Sequence, residues 1–217
     1  INAPLIAGTL MRRFTTYLFP PHAYIPTQTT RSAWHPPQIA SAKEMFLYGV
    51  DLFHHQFYWE SHEVWEALWK KETDGERKIF LQGLILCAAF LIKKKQGELD
   101  IAQKIASSAL QKLTGVSPWI PCVFFDDDCN FCVRNIVRWR GAVQEAMIFL
   151  PSLQPLAERK SLRLVDIDGK VYEGVGAVFR IRSSQLFWKW IFKFYRSFSP
   201  FRWLSEGVYR FIAALTH

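Results

Sequence analysis

The chain has 217 residues, 50% hydrophobic and 16% aromatic, with 11 Gly, 11 Pro and 4 Cys. That balance excludes collagenous, disordered and disulfide-stapled classes, and the length allows one large domain or two small ones. A formal charge of +8, from 27 Lys/Arg against 19 Asp/Glu, suits nucleic acid, anionic lipid or an acidic partner without choosing among them.

At the N-terminus an apolar stretch precedes Arg12-Arg13, the reverse of a secretion signal's order. Met11 would make a natural start, leaving 1–10 as an upstream addition within an N-terminal extension, 1–19. Residues 15–40 carry Pro20-Pro21, Pro26 and Pro36-Pro37. Proline fixes φ and disfavours helix in the residue before it, which predicts an extended arm laid over a core through Tyr24, Ile25 and Trp34. Helical periodicity begins at Ser41, a fitting N-cap with Glu44 three residues on. Apolar residues recur at Phe46, Val50 and Phe53, then at Trp59, Val64, Trp65, Leu68 and Trp69, until Thr73-Asp74-Gly75 breaks the second helix. A third helix, about 76–95, is apolar on nearly every face and belongs at the centre of a bundle. Its apolar run is shorter than the roughly 20 residues a bilayer span needs. Gln96-Gly97 ends it behind Lys93-Lys94-Lys95, and a fourth helix covers about 99–113. Short loops imply antiparallel neighbours.

Beyond Gly115-Val116-Ser117-Pro118 the pattern changes. Residues 122–125 read as a short buried strand, followed by Asp126-Asp127-Asp128, the pair Cys129-x-x-Cys132, and a helix over about 133–145. A second apolar run spans 147–150. Alternation from Leu162 meets Asp168-Gly169, a strong hairpin signal, and returns through Val171 and Tyr172. Leu186, Trp190, Phe194 and Phe198 mark one helical face, broken at Ser199-Pro200, before a last short helix through Val208, Phe211 and Ile212. The expected fold is α+β overall: an all-α helical bundle with its arm at 20–116, then a small α/β domain with C-terminal helices at 119–217.

Three constellations carry candidate chemistry. Two of the four cysteines form a Cys-x-x-Cys, which suits a reducing, cytoplasmic compartment and a redox or metal pair better than a disulfide framework. At a helix start, unpaired N–H groups and the dipole favour a thiolate, and such sites lower a Cys pKa from about 8.5 into the range 3.5–7.5. Cys129 is then the attacking thiolate and Cys132 the more buried, resolving thiol, with exchange through a mixed disulfide and no obligatory cofactor. The neighbouring carboxylates oppose that thiolate. Asp126, turned inward, is placed to take the Cys132 proton, and Asp128 is expected as the helix N-cap. A metal reading needs four ligands, and no His lies between 63 and 216.

The second constellation is Glu60, Glu63 and Glu66 with His62, spaced as neighbours on a helix. One reading makes His62, Glu63 and Glu66 a pocket for a cation or small ligand, with His54-His55 able to join. The other uses these side chains to anchor the Pro-rich arm, while Trp59, Trp65 and Trp69 fill the core. The third is LFWKWIFKFYRSFSPFRWL (186–204), where Lys and Arg alternate with aromatics. Such helices either cover the α/β domain or make peripheral contact with an anionic membrane. No nucleic-acid-binding motif accompanies the charge, which sets nucleic acid aside as a partner.

Two resemblances cover most of the chain. PPHAYIP (20–26), GVDLFHHQFYWESHEVWEALWK (49–70) and GERKIFLQGLILCAAFLIK (75–93) resemble the bacterial family called domain of unknown function 309, through Tyr58, Trp59, Glu60, His62, Glu63, Trp65, Glu66, Leu68 and Trp69. That resemblance implies a small helical bundle without an assigned activity. VFFDDDCNFCVRNIVRWR (123–140), IFLPSLQ (148–154) and VDIDGKVYEGVGAVFRI (165–181) resemble the DCC family of thiol–disulfide oxidoreductases, domain of unknown function 393. The signature falls on Asp126, Asp128, Cys129 and Cys132. This second resemblance implies a thioredoxin-like fold and a protein or small-thiol redox partner. The segment before the hairpin is shorter than that family's, and no proline immediately precedes Leu162, where thioredoxin-like enzymes carry a cis-proline. The competing reading is a non-enzymatic interaction protein with a vestigial cysteine pair.

Overall fold

The computed structural model describes residues 13–154 and 162–216. Its first part is the arm, which lies on the helices that follow. Asp51, fully buried, accepts hydrogen bonds from Phe14 N and Thr15 N at 2.8 Å and from Thr15 Oγ1 at 2.6 Å. Tyr48 Oη donates to Leu18 O at 2.7 Å, and Tyr24 meets Trp59 edge to face. These contacts satisfy arm backbone groups that have no secondary-structure partner.

Ser41 caps α1 (Ala42–His54), its hydroxyl accepting from Glu44 N at 3.3 Å, as expected from the capping-box spacing. After Gln56, at φ +68°, comes α2 (Tyr58–Lys71). Asp74 caps α3 (Gly75–Gln96) through Arg77 N, and Gly97, at φ +82°, ends it in the left-handed conformation that glycine adopts without strain. Then follows α4 (Leu99–Thr114). The four helices pack in succession, with α3 between α2 and α4. Trp65 is wholly buried, its indole N–H donating to Phe46 O at 3.2 Å. Trp69 lies at the core's margin under Lys78, and Trp59 is half-buried beneath Tyr24, so only Trp65 is a core tryptophan in full.

The second part holds β1 (Cys122–Phe125), α5 (Asn130–Ala142), β2 (Ile148–Pro151), β3 (Arg163–Val165) and β4 (Val171–Glu173). The helices α6 (Gly174–Arg182), α7 (Leu186–Ser197) and α8 (Ser199–Thr216) complete it. The sheet order is β2-β1-β3-β4, with β1 parallel to β2, antiparallel to β3, and β3 antiparallel to β4. α5 starts three residues earlier than its periodicity implies. α6 is an element the apolar spacing did not separately mark. The β3–β4 turn is wider than a two-residue hairpin: Asp166 N donates to Lys170 O at 2.9 Å, and Asp168-Gly169 sits inside that loop. Arg180 of α6 grips both Asp166 and Glu145 through its guanidinium, at 2.5–3.1 Å.

Strand alternation sorts the sheet's side chains onto two faces. Cys122, Phe124, Ile148, Leu150 and Val165 join Phe46, Trp65, Leu84 and Cys87 in one hydrophobic cluster. Val123, Phe149 and Leu164 face the other way and pack with Ile136, Ala177 and Ile181 of α5 and α6. The bundle's core therefore continues beneath the sheet. Among the described residues no helix is long and apolar enough to cross a membrane. The architecture is mixed: a helical segment, then a small four-stranded sheet flanked by helices.

Candidate functional site

The central strand β1 delivers the chain to Asp126-Asp127-Asp128 and the start of α5. Asp126 Oδ1 accepts from Asp128 N at 3.1 Å, closing a local turn. Cys129 follows with extended backbone angles and is itself the N-cap, its Sγ accepting from Cys132 N at 3.4 Å. Asp128 is therefore not the cap. Because α5 begins at Asn130, the third helical N–H belongs to Cys132 and faces the side chain of residue 129. Asp128 lies one residue too early. Its carboxylate instead meets Lys94 Nζ at 3.2 Å, while Asp127 holds the same ammonium at 2.7 Å. The Asp126, Asp127 and Asp128 carboxylates approach within 4.8 Å of one another, and Lys94, from the end of α3, supplies countercharge to that run. Burial alone would pull the Lys94 pKa down, but the two ion pairs outweigh it and hold it above its ordinary value.

All four cysteines are free thiols. Cys129 is only 8% exposed and Cys132 is the more accessible, the reverse of the expected order, because the capping sulfur folds back over the helix's first turn. Burial pushes the Cys132 thiol up to about 12, reinforced by its hydrogen bond with Cys129 and by the charges of Cys129 and Asp126. Tyr209 of α8 is pushed to about 12, first by burial and further by charge at Cys132, Glu206 and Cys129, against a backbone hydrogen bond with Leu162. A cleft of about 860 Å³ has Lys170, Glu173, Arg196, Arg202, Glu206 and Tyr209 on its walls, and neither cysteine lines it. Tyr209 belongs to both the cleft wall and the electrostatic surroundings of the cysteines. Lys94 carries no local sequence signal of its countercharge role; it reaches the loop from a distant element.

His62, Glu63 and Glu66 do not form a ligand cluster. Glu63 pairs with Arg31, Glu66 with Lys70 at 3.0 Å, and the His62 ring stacks on Trp59 at 6.0 Å. Burial lowers the His62 pKa, against the pull of Glu66 and Glu63. Among the described residues, the run Asp126–Asp128 is the only group of three potential ligand side chains in mutual reach. Glu60, 2% exposed, accepts from Tyr24 N at 2.8 Å, and burial raises its pKa. Glu60 and Glu63 together tie the arm to α2.

His54 plays an unforeseen part. It is buried, and its Nε2 accepts the N–H of Phe149 on the edge strand β2 at 3.0 Å. Burial, aided by the charges of Arg140 and His55, pushes its pKa well below the ordinary histidine value. The neutral ring thus satisfies an edge-strand donor and couples the bundle to the sheet that carries the cysteines.

Residues 46–105 match the family described as Domain of unknown function (DUF309). The match covers α1 from Phe46 through the first part of α4, including Asp51, His54, Glu60 and His62, and ends before β1. No curated protein and no solved structure matches the chain.

Proposed function

We propose that the protein is a thiol–disulfide oxidoreductase whose sheet and flanking helices form a thioredoxin-like unit of the DCC type. The observation that carries this reading is the Cys129 sulfur capping α5 while the Cys132 thiol is held protonated beside it. The β2-β1-β3-β4 order, with its single parallel pair and a Cys-x-x-Cys directly after the central strand, supports it.

In the proposed reaction the Cys129 thiolate attacks one sulfur of a partner's disulfide. The partner's S–S bond breaks, a mixed disulfide forms, and the first partner thiolate leaves. Cys132 then loses its proton to the Asp126 carboxylate and attacks the Cys129 sulfur, expelling the second partner thiolate. Two electrons pass to the partner, and the Cys129–Cys132 disulfide remains. The helical segment contributes through Lys94, which offsets two of the three carboxylates that would disfavour the Cys129 thiolate, and it offers a surface for recognising a protein or small-thiol partner.

A second reading has its own support. The 8% exposure of Cys129 suits a sulfur that is only a helix cap in an interaction protein. Equilibration against glutathione buffers, followed by mass analysis after alkylation, separates the two. An oxidoreductase forms the Cys129–Cys132 disulfide, and Cys132→Ser traps glutathione on Cys129. No intramolecular disulfide at any ratio, with adducts confined to Cys132, would refute the exchange reaction and assign the scaffold.

A further inference from the structure

We propose that the exposed face of α7 docks the protein peripherally onto anionic lipid headgroups. α7 has two apolar sides. The inner side packs on its own domain: Phe192 meets Tyr172 at 5.3 Å, and Tyr195 and Trp188 meet Phe179 at 5.5 and 5.9 Å. That side accounts for the helix as a cover. The other side faces outward, with Leu186 77% exposed, Phe187 69%, Trp190 66% and Phe194 51%. Leu186, Trp190 and Phe194 recur every four residues and form one stripe. Phe194 also contacts Phe198 and Phe201 at the junction with α8, beside a shallow apolar groove of about 630 Å³.

Charge selects the occupant. Lys189 and Lys193 are exposed along one border of the stripe, Arg196 continues the row, and Lys193 lies 5.4 Å from the Trp190 ring. From Arg180 onward Glu206 is the sole carboxylate side chain, and it accepts the Tyr195 hydroxyl at 2.6 Å. An aromatic stripe edged by cations, with no carboxylate on it, fits the headgroup–acyl boundary of an anionic bilayer: the rings enter the interface and the cations meet phosphates. A stripe of this kind lies in the plane of the interface rather than across the bilayer, so the proposed association is peripheral. This inference stands independently of the cysteine chemistry.

The test is co-sedimentation of the full chain with vesicles of phosphatidylglycerol and phosphatidylcholine, against phosphatidylcholine alone. Binding is expected with the anionic vesicles and at least tenfold weaker with the zwitterionic ones. Trp190→Glu with Phe194→Glu removes the stripe, and Lys189→Glu with Lys193→Glu reverses its border; each pair should weaken binding tenfold or more. All four side chains are exposed, so unchanged circular dichroism and thermal midpoint verify the fold. Failure of the native chain to sediment with anionic vesicles overturns the proposal, as does undiminished binding by both variants. Self-association that the stripe variant abolishes, without vesicle binding, also overturns it and assigns the face to a second copy.

Discussion

Replacing His54 by Leu tests how the bundle and the sheet are joined. The neutral His54 ring accepts the buried N–H of Phe149 at 3.0 Å. Leucine fills much of the same space but offers no acceptor, so a buried donor is orphaned at a cost of about 1–3 kcal/mol. The pH dependence gives a second, sharper expectation. His54 has its folded-state pKa pushed well below the ordinary value, whereas the unfolded chain's histidine protonates near 6.5. Below that pH the unfolded state binds the extra proton, so the native protein loses stability as pH falls towards the folded pKa, by up to ~1.4 kcal/mol per pH unit. His54→Leu lacks this loss. Its deficit at pH 7.5 should therefore shrink by up to about 2 kcal/mol at pH 5. Urea unfolding followed by tryptophan fluorescence at both pH values measures the two stabilities, and His54→Gln, which keeps an acceptor without a titration, should recover part of the deficit at pH 7.5. Parallel pH profiles for native protein and His54→Leu, or equal stability at pH 7.5, would refute the argument.

Lys94→Gln leaves Asp127 and Asp128 without their shared ammonium; alkylation of Cys129 at pH 7 should slow several-fold, with the difference shrinking in high salt as screening takes over. A Cβ at Gly49 would fall inside the Trp65 indole, so Gly49→Ala should cost about 1–3 kcal/mol or more through overpacking, read as a lower urea midpoint. Asp51→Ala removes the acceptor for Phe14 N, Thr15 N and Thr15 Oγ1. It should cost about 2–3 kcal/mol and speed tryptic cleavage at Arg13, whereas cleavage at the native rate would show that the arm is held elsewhere.

What the sequence determined by itself is the set of features that depend on a few neighbouring residues. Ser41 caps the helix that follows it, Gly97 ends α3, and residues 122–125 form a strand, because capping, a left-handed terminator and side-chain alternation act within one turn or one strand. The position of the cysteine pair at a helix start was legible for the same reason. Helical spacing also marked the amphipathic, basic character of α7, but not which arc would cover the domain and which would face outward.

Tertiary packing decided the rest. Lys94 meets Asp127 across 33 residues of chain, and His54 meets Phe149 across 95. Such meetings depend on how helices cross and how the sheet seats on the bundle, which no local pattern encodes. The same packing sent Glu63 to Arg31, across 32 residues of chain. It also ran one hydrophobic core under both segments, because Cys122, Phe124 and Ile148 alternate onto the sheet face that the bundle covers.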